Sequence, residues 1–307
     1  MARIIITDMG GLTAEHGVAT LRAAGHDVAL FEATSSAEIA AEIASADALI
    51  VGYVRISAAD IASAPSLRVI ATTTTGLDQI DVEAAKAAGI SVHPLPSPAS
   101  EEVATQALAG ILTLLREIPA SQAAARNGWD FTQIPTPPRI SELTLGVYGL
   151  GRIARKLVER AQPLFGRVVA YDPYLPAEHW PADVDRVDDL DGLFLASNVL
   201  SLHAPATAEN HHAVNARTLG LLPVHAYLVN VARGELVDSA AVRAALDAGA
   251  LRGAFLDVLD PEPPAASEPL LTHPRAIVTP HAAFYSTATD LAYMGLAVEN
   301  VLAALAD

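Results

Sequence analysis

The stretch Leu143–Asp172, LTLGVYGLGRIARKLVERAQPLFGRVVAYD, decides the fold. Apolar and β-branched residues run to Tyr148, glycines stand at 149 and 151, and Ala154 follows in an amphipathic helical pattern that lasts to about Phe165. Arg167–Tyr171 is a second β-rich run, and it ends at Asp172, 18 residues beyond Ala154 and 23 beyond Gly149. Strand, glycine turn, helix, strand and terminal acid together make a dinucleotide-binding βαβ unit. Gly149 permits the tight turn, Gly151 lets the backbone approach a pyrophosphate, and Ala154 keeps helix and strand close. The helix N-terminus, opened by Arg152 and Ile153, favours phosphate charge. Asp172 is placed to accept both ribose hydroxyls and repels a 2′-phosphate, which favours NAD over NADP.

The same alternation extends in both directions. Downstream, strands are expected near Val199–His203, Tyr227–Val231, Gly253–Asp257 and Ala276–Thr279, with helices between them. Upstream, Arg3–Thr7, Val28–Phe31, Ala48–Val51, Arg68–Thr72 and Ile90–Val92 read as strands. Helices are expected at Thr13–Ala24 (with Thr13 as N-cap), Ser36–Ser45, Ala58–Ala64 and Asp81–Ala88. The segment His93–Pro98, HPLPSP, carries three prolines and breaks the pattern, which marks a boundary. Beyond it Glu101–Ile118 reads as one long apolar helix ended by Pro119. Asn127–Arg139 is an irregular connector, and Thr287–Leu305 is a last helix long enough to return to the first half. The expectation is an α/β protein of two Rossmann-like domains with parallel sheets. A flavodoxin-like substrate domain spans 1–97 plus 283–307, and a dinucleotide-binding domain spans 98–282.

Composition narrows the function classes. Of 307 residues, 51% are hydrophobic and only 5% aromatic, so the core is aliphatic. Nineteen basic against 35 acidic residues give a net charge of −16. Nucleic-acid phosphates are repelled, and no basic run offsets this. The absence of cysteine excludes disulfides, thiolate nucleophiles and Cys-ligated zinc. The N-terminal MARIIITD reads as a strand and not as a signal peptide, and no run of apolar residues is long enough for a membrane span. A cytoplasmic protein without nucleic-acid or membrane partners is expected.

Three polar features follow late strands, where ligands gather in open α/β sheets. Arg233 in Asn230–Gly234 can lay its planar fork against a carboxylate. The prolines of Asp257–Pro263 hold acidic groups, Glu262 among them, on a stiff loop. His281 stands just past the last strand. Singly, Arg233 also fits a salt bridge, Glu262 a solvated loop acid, and His281 a packed strand-end histidine. Together, Glu with His is the hardware of a general acid whose proton is held by a neighbouring carboxylate. His211-His212 has neither helical spacing nor a carboxylate cluster, so no metal site is expected.

With these residues in place the sequence resembles the D-isomer-specific 2-hydroxyacid dehydrogenases over essentially its full length. The resemblance rests on GLGRIA with its downstream YDP, SLHAPAT (Ser201–Thr207), NVARGELVD (Asn230–Asp238), GAFLDVLDPEP (Gly253–Pro263) and TPHAAFYS (Thr279–Ser286). TTGLDQID (Thr74–Asp81), EEVA (Glu101–Ala104) and HAAFYS look most like the branch that includes C-terminal-binding proteins. The resemblance implies a two-domain, homodimeric enzyme with its active site in the interdomain cleft. It interconverts a 2-oxo acid and a (D)-2-hydroxy acid by hydride transfer with NAD. Arg233, Glu262 and His281 match the family's catalytic set: Arg233 polarises the carbonyl and binds the carboxylate, and His281 is the acid/base that Glu262 orients and keeps charged. His203, Ala204, Val231 and Asp257 match cofactor-side positions, with Asp257 near the nicotinamide carboxamide. Thr75 and Gly76 match the loop whose amides hold the substrate carboxylate, and Arg55 matches a basic substrate contact in some relatives.

The sequence departs from the family at Thr72 and Thr74, where many relatives carry Arg and Gly, and at Thr105-Gln106, where Glu-His is common. Two alternatives stand beside the reductase. One is an NAD(H)-sensing regulatory protein, which the absence of a basic or disordered extension disfavours. The other is a phosphite-type dehydrogenase, disfavoured because Thr75 stands where that enzyme's lysine is expected.

Overall fold

The computed structural model describes residues 1–306 and divides the chain into two compact units. The first is Met1–Ala99 with the chain from Tyr285 onward, and the second is Ser100–Phe284.

The first unit is a five-stranded sheet of β1 (Arg3–Ile6), β2 (Asp27–Leu30), β3 (Ala48–Val51), β4 (Val69–Thr72) and β5 (Ser91–His93). All pairings are parallel, in the order β2-β1-β3-β4-β5, the flavodoxin-like order. Alternate residues of β1 enter opposite cores, as the two-residue period of a strand requires. Ile4 and Ile6 pack with Leu21, Ile50 and Met294, while Ile5 packs with Ile43, Leu49 and Ile70. A sheet covered on both faces explains the uninterrupted RIII run.

Helices α1 (Glu15–Ala23), α2 (Ala40–Ala44), α3 (Ala58–Ser63) and α4 (Val82–Ala87) connect these strands. Ser57 and Asp60 form a reciprocal capping box on α3, and Asp81 caps α4. Thr13 does not cap α1. Its backbone N–H and hydroxyl donate instead to the two carboxylate oxygens of Asp290, at 2.9 and 2.8 Å. Asp290 belongs to the last helix, Thr287–Ala306, so Thr13 ties the returning chain to α1. That helix has the length and mean hydropathy (1.2) of a membrane span. Its Met294, Ala297, Val298 and Val301 nevertheless pack into the core beneath β1 and β4.

The second unit begins with α5 (Ser100–Leu115) and α6 (Ile118–Arg126). The single helix expected over Glu101–Ile118 is therefore broken. Glu117 takes a left-handed conformation (φ +51°), and Pro119 opens α6 instead of ending α5, because a first-turn proline sacrifices no intrahelical hydrogen bond. Seven strands follow: β6 (Thr144–Tyr148), β7 (Arg167–Tyr171), β8 (Asp185–Arg186), β9 (Val199–Leu202), β10 (Ala226–Asn230), β11 (Leu251–Leu256) and β12 (Ala276–Val278). They pair in parallel in the order β12-β11-β10-β9-β6-β7-β8. The order reverses beside β6, and α7 (Arg152–Ala161) starts at that switch point. The two-residue β8 at the edge carries no sequence signal and lies outside the strands expected above.

Candidate active site

Because all seven strands run parallel, their carboxyl ends share one edge of the second sheet. Gly149, Asp172, His203, Val231, Asp257 and Thr279 each stand just past a strand on that edge.

The dinucleotide turn is built by close backbone approach. Gly149 has φ +82°, and a Cβ there would lie 2.8 Å from the Ala204 nitrogen. At Gly151, the residue before α7, a Cβ would meet nothing within 4 Å. Open space at the N-terminus of a ten-residue helix is the room a pyrophosphate needs. Val231 buries its side chain in the core, and the half-buried Ile153 packs against it. Asp172 accepts from the amides of Leu150 (2.8 Å), Tyr174 (2.9 Å) and Leu175 (3.2 Å). These bonds fix its carboxylate beside the glycine turn. A carboxylate has about four acceptor directions, so one stays available for a ribose hydroxyl. The residues fit a nicotinamide dinucleotide.

His203 is turned inward. Its Nε2 lies 2.8 Å from the Ser201 hydroxyl, and burial pushes the imidazole down to about 4, so it is neutral at physiological pH. Its backbone carbonyl carbon lies 2.9 Å from where a Cβ on Gly149 would stand.

The chemical groups lie on three loops of the same edge. His281 Nδ1 stands 2.6 Å from Glu262 Oε2, with both side chains about one-third exposed. Glu262 also accepts from the Leu259 amide at 3.0 Å through its other oxygen. Burial pushes the Glu262 carboxyl up. The hydrogen bond and charge of His281, the Leu259 amide and the Arg233 charge outweigh it and hold the group below the ordinary glutamate range. Arg233 is thus an electrostatic neighbour of the pair. Its loop abuts the Glu262 loop because residue 234 is glycine: a Cβ there would lie 2.0 Å from the Leu259 carbonyl oxygen.

His281 sits in a left-handed turn (φ +51°). Asp257 holds that turn. The Asp257 backbone carbonyl accepts from the His281 N–H at 2.7 Å. Its carboxylate, 1% exposed, accepts from the amides of Ala282 (3.0 Å) and Ala283 (2.9 Å) and from the Thr279 hydroxyl. The acid expected beside the cofactor thus has both oxygens engaged within the chain.

The first unit carries the remaining expected residues on the loops after β3 and β4. Arg55 and Thr75 are exposed, and Gly76 is half-buried. The threonines that depart from the family pattern bond inward. Thr72 Oγ1 donates to the Thr74 carbonyl and Thr74 Oγ1 to that of Gly76, both at 2.7 Å, while Gln79 Nε2 donates to Thr74 Oγ1 at 2.8 Å. The loop is stiffened by its own side chains. Asp8, read from sequence only as a strand end, accepts from the amides of Gly52 (3.1 Å), Tyr53 (2.7 Å) and Val54 (3.3 Å) and so anchors the loop that bears Arg55.

Sheet order, glycine turn and strand-end acid define a Rossmann-type unit that takes a nicotinamide dinucleotide. Residues 108–283 match the D-isomer specific 2-hydroxyacid dehydrogenase NAD-binding domain, and the chain belongs to that family. The match identifies the family and not a branch within it. The chain is 35% identical over 284 residues to the D-3-phosphoglycerate dehydrogenase of Methanocaldococcus jannaschii, covering 92% of this chain and 53% of that one. It spans about half the length of the curated relatives it matches. Among solved structures, the TT0316 protein of Thermus thermophilus is 34% identical with a TM-score of 0.89, covering 99% of this chain and 96% of that one. The D-lactate dehydrogenase of Aquifex aeolicus, solved with NAD and lactic acid, is 26% identical with a TM-score of 0.87, covering 98% and 95%.

Proposed function

We propose that this chain reduces a 2-oxo acid to the (D)-2-hydroxy acid, and catalyses the reverse reaction, with NAD(H) as cofactor. The observation that carries the reading is the 2.6 Å His281–Glu262 pair, set with Arg233 on the sheet edge that holds the dinucleotide turn. The amides at Gly151, Arg152 and Ile153 hold the pyrophosphate, and Asp172 holds the ribose and disfavours a 2′-phosphate. The reduced nicotinamide, when bound, supplies the hydride that the substrate C2 receives.

The chain's own residues do the rest. Arg233 pairs with the substrate carboxylate and polarises the C2 carbonyl, drawing negative charge onto its oxygen. With His281 Nδ1 committed to Glu262, Nε2 is the nitrogen that gives its proton to that oxygen. The carboxylate of Glu262 stabilises the imidazolium before transfer and orients the ring. In the oxidative direction His281 Nε2 takes the hydroxyl proton back. The proposal includes a homodimer, supported by Trp129 and Phe131 on the connector, which are 85% and 81% exposed.

The test follows NADH oxidation with a panel of short, branched, aromatic, dicarboxylic and phosphorylated 2-oxo acids, beside His281→Gln and Arg233→Gln. Turnover that both substitutions abolish supports the reductase. Tight NADH binding without turnover on any substrate overturns it in favour of an NAD(H)-binding regulatory protein.

A further inference from the structure

The fold supplies the adjacent histidines 211 and 212 with a third ligand that the sequence does not reveal. They follow β9, and Asp260 follows β11, yet one nitrogen from each imidazole and a carboxylate oxygen of Asp260 all lie within 4.8 Å of one another. The two rings stack with centroids 3.9 Å apart. The backbone of His212 is held from both sides. Its N–H donates to the Glu235 carbonyl at 2.8 Å, and its own carbonyl accepts from Asn215 Nδ2 at 2.8 Å. His212 has φ +50°, a left-handed conformation that a residue with a Cβ keeps only when its surroundings impose it. The Asp260 loop abuts Gly234, the residue before Glu235: an added Cβ at Gly234 would lie 2.0 Å from the Leu259 carbonyl oxygen and 2.6 Å from the Asp260 nitrogen.

We propose that His211, His212 and Asp260 bind one divalent transition-metal cation of the zinc class. Two imidazoles and one carboxylate are a borderline donor set that suits zinc, cobalt or nickel, whereas magnesium and calcium take oxygen ligands. Tetrahedral bonds of about 2 Å bring donor atoms to about 3.3 Å from one another. Binding requires the exposed side chains of His211 and Asp260 to rotate towards His212, bringing donors now within 4.8 Å of one another to that spacing. Water completes the coordination. The bound ion ties the segment after β9 to the loop that carries Glu262, two residues beyond Asp260. The site does not depend on the proposed reductase activity, because its donors and its readout are separate from the His281–Glu262 pair.

The experiment uses the full untagged chain, stripped with chelator and dialysed. Zn²⁺ is titrated calorimetrically, and Co²⁺ is titrated by its visible absorption, which is intense for tetrahedral coordination. His211→Gln and Asp260→Asn are run in parallel, with circular dichroism to verify folding. One equivalent of Zn²⁺ is expected to bind, with a tetrahedral Co²⁺ spectrum and a raised melting temperature. Each substitution is expected to weaken binding by more than about tenfold, since loss of even an outer-shell partner costs that much. Absence of stoichiometric binding overturns the site, as does equal affinity in the wild type and both variants. Mg²⁺ binding as tightly as Zn²⁺ overturns its assigned chemistry.

Discussion

The side chain of Asn230 closes the loop that carries Arg233: its Nδ2 donates to the Arg233 carbonyl at 2.8 Å. Its Oδ1 accepts from the Ala232 N–H at 3.0 Å, and the residue is fully buried at the end of β10. One amide thus satisfies a donor and an acceptor of the same turn, and the Ala232 carbonyl of that turn accepts from Arg233 Nη1 at 2.8 Å. Asn230→Ala leaves both backbone groups without that partner, a loss of about 1–3 kcal/mol read by urea unfolding. The turnover effect is the sharper readout. Misplacing the Arg233 fork lowers kcat/KM by up to about a hundredfold. Unchanged kcat/KM in a folded variant would show that Arg233 is positioned by other contacts.

Asp172 predicts cofactor choice. Its carboxylate is pinned by three backbone amides beside the glycine turn, so it cannot swing away from a 2′-phosphate. Asp172→Ser removes the charge and one ribose acceptor together. The ratio of kcat/KM for NADH over NADPH is expected to fall by about tenfold or more, the equivalent of one lost charge repulsion or hydrogen bond. A ratio that stays constant would move the discrimination to another residue of the loop.

His203 predicts an acid-sensitive component of stability. The folded chain holds this imidazole neutral, with its pKa lowered by burial to about 4 from 6.5. Between those values the unfolded chain binds a proton that the folded chain does not, so stability is lost as pH falls from 6.5 towards 4. The full loss is about 3 kcal/mol, and none of it operates above pH 6.5. His203→Gln carries no such proton. Unfolding free energies of wild type and variant, measured at pH 7.5 and 4.5, should therefore converge on acidification. Parallel decline of the two would show that the imidazole is accessible to protons in the fold.

These relationships also show what the sequence could and could not reveal. Strand positions were legible because a buried parallel strand is a continuous apolar run, and GLGRIA carries its chemistry locally. The edge strand β8 and the break at Glu117 were not, since a two-residue strand has no period and a left-handed glutamate leaves no mark in composition. Residue types at the site were legible through the family blocks, but partners across the fold were not. Thr13 looks like an N-cap until Asp290 arrives from 277 residues away. Asp8 looks like a strand end until the Gly52–Val54 amides converge on it, and Asp260 looks like a loop acid until it meets His211 and His212. Each of these depends on which strand ends are neighbours, which only the sheet order supplies.

Glu262 and His281 give the most direct kinetic prediction. Glu262 stays ionised below the ordinary glutamate range, because the His281 bond and charge, the Leu259 amide and the Arg233 charge outweigh its burial. The carboxylate therefore persists beside Nδ1 across the working pH range and favours the protonated ring that reduction requires. Glu262→Gln keeps a hydrogen-bonding group of the same shape but removes the charge. The alkaline limb of the reduction profile is expected to move to lower pH, because the charge that stabilises the imidazolium is gone. Oxidation, which starts from the neutral ring, gains at lower pH for the same reason. The check is a pair of kcat/KM profiles, one in each direction, on wild type and variant. Limbs that coincide in both directions would mean that the 2.6 Å contact positions the ring without governing its proton.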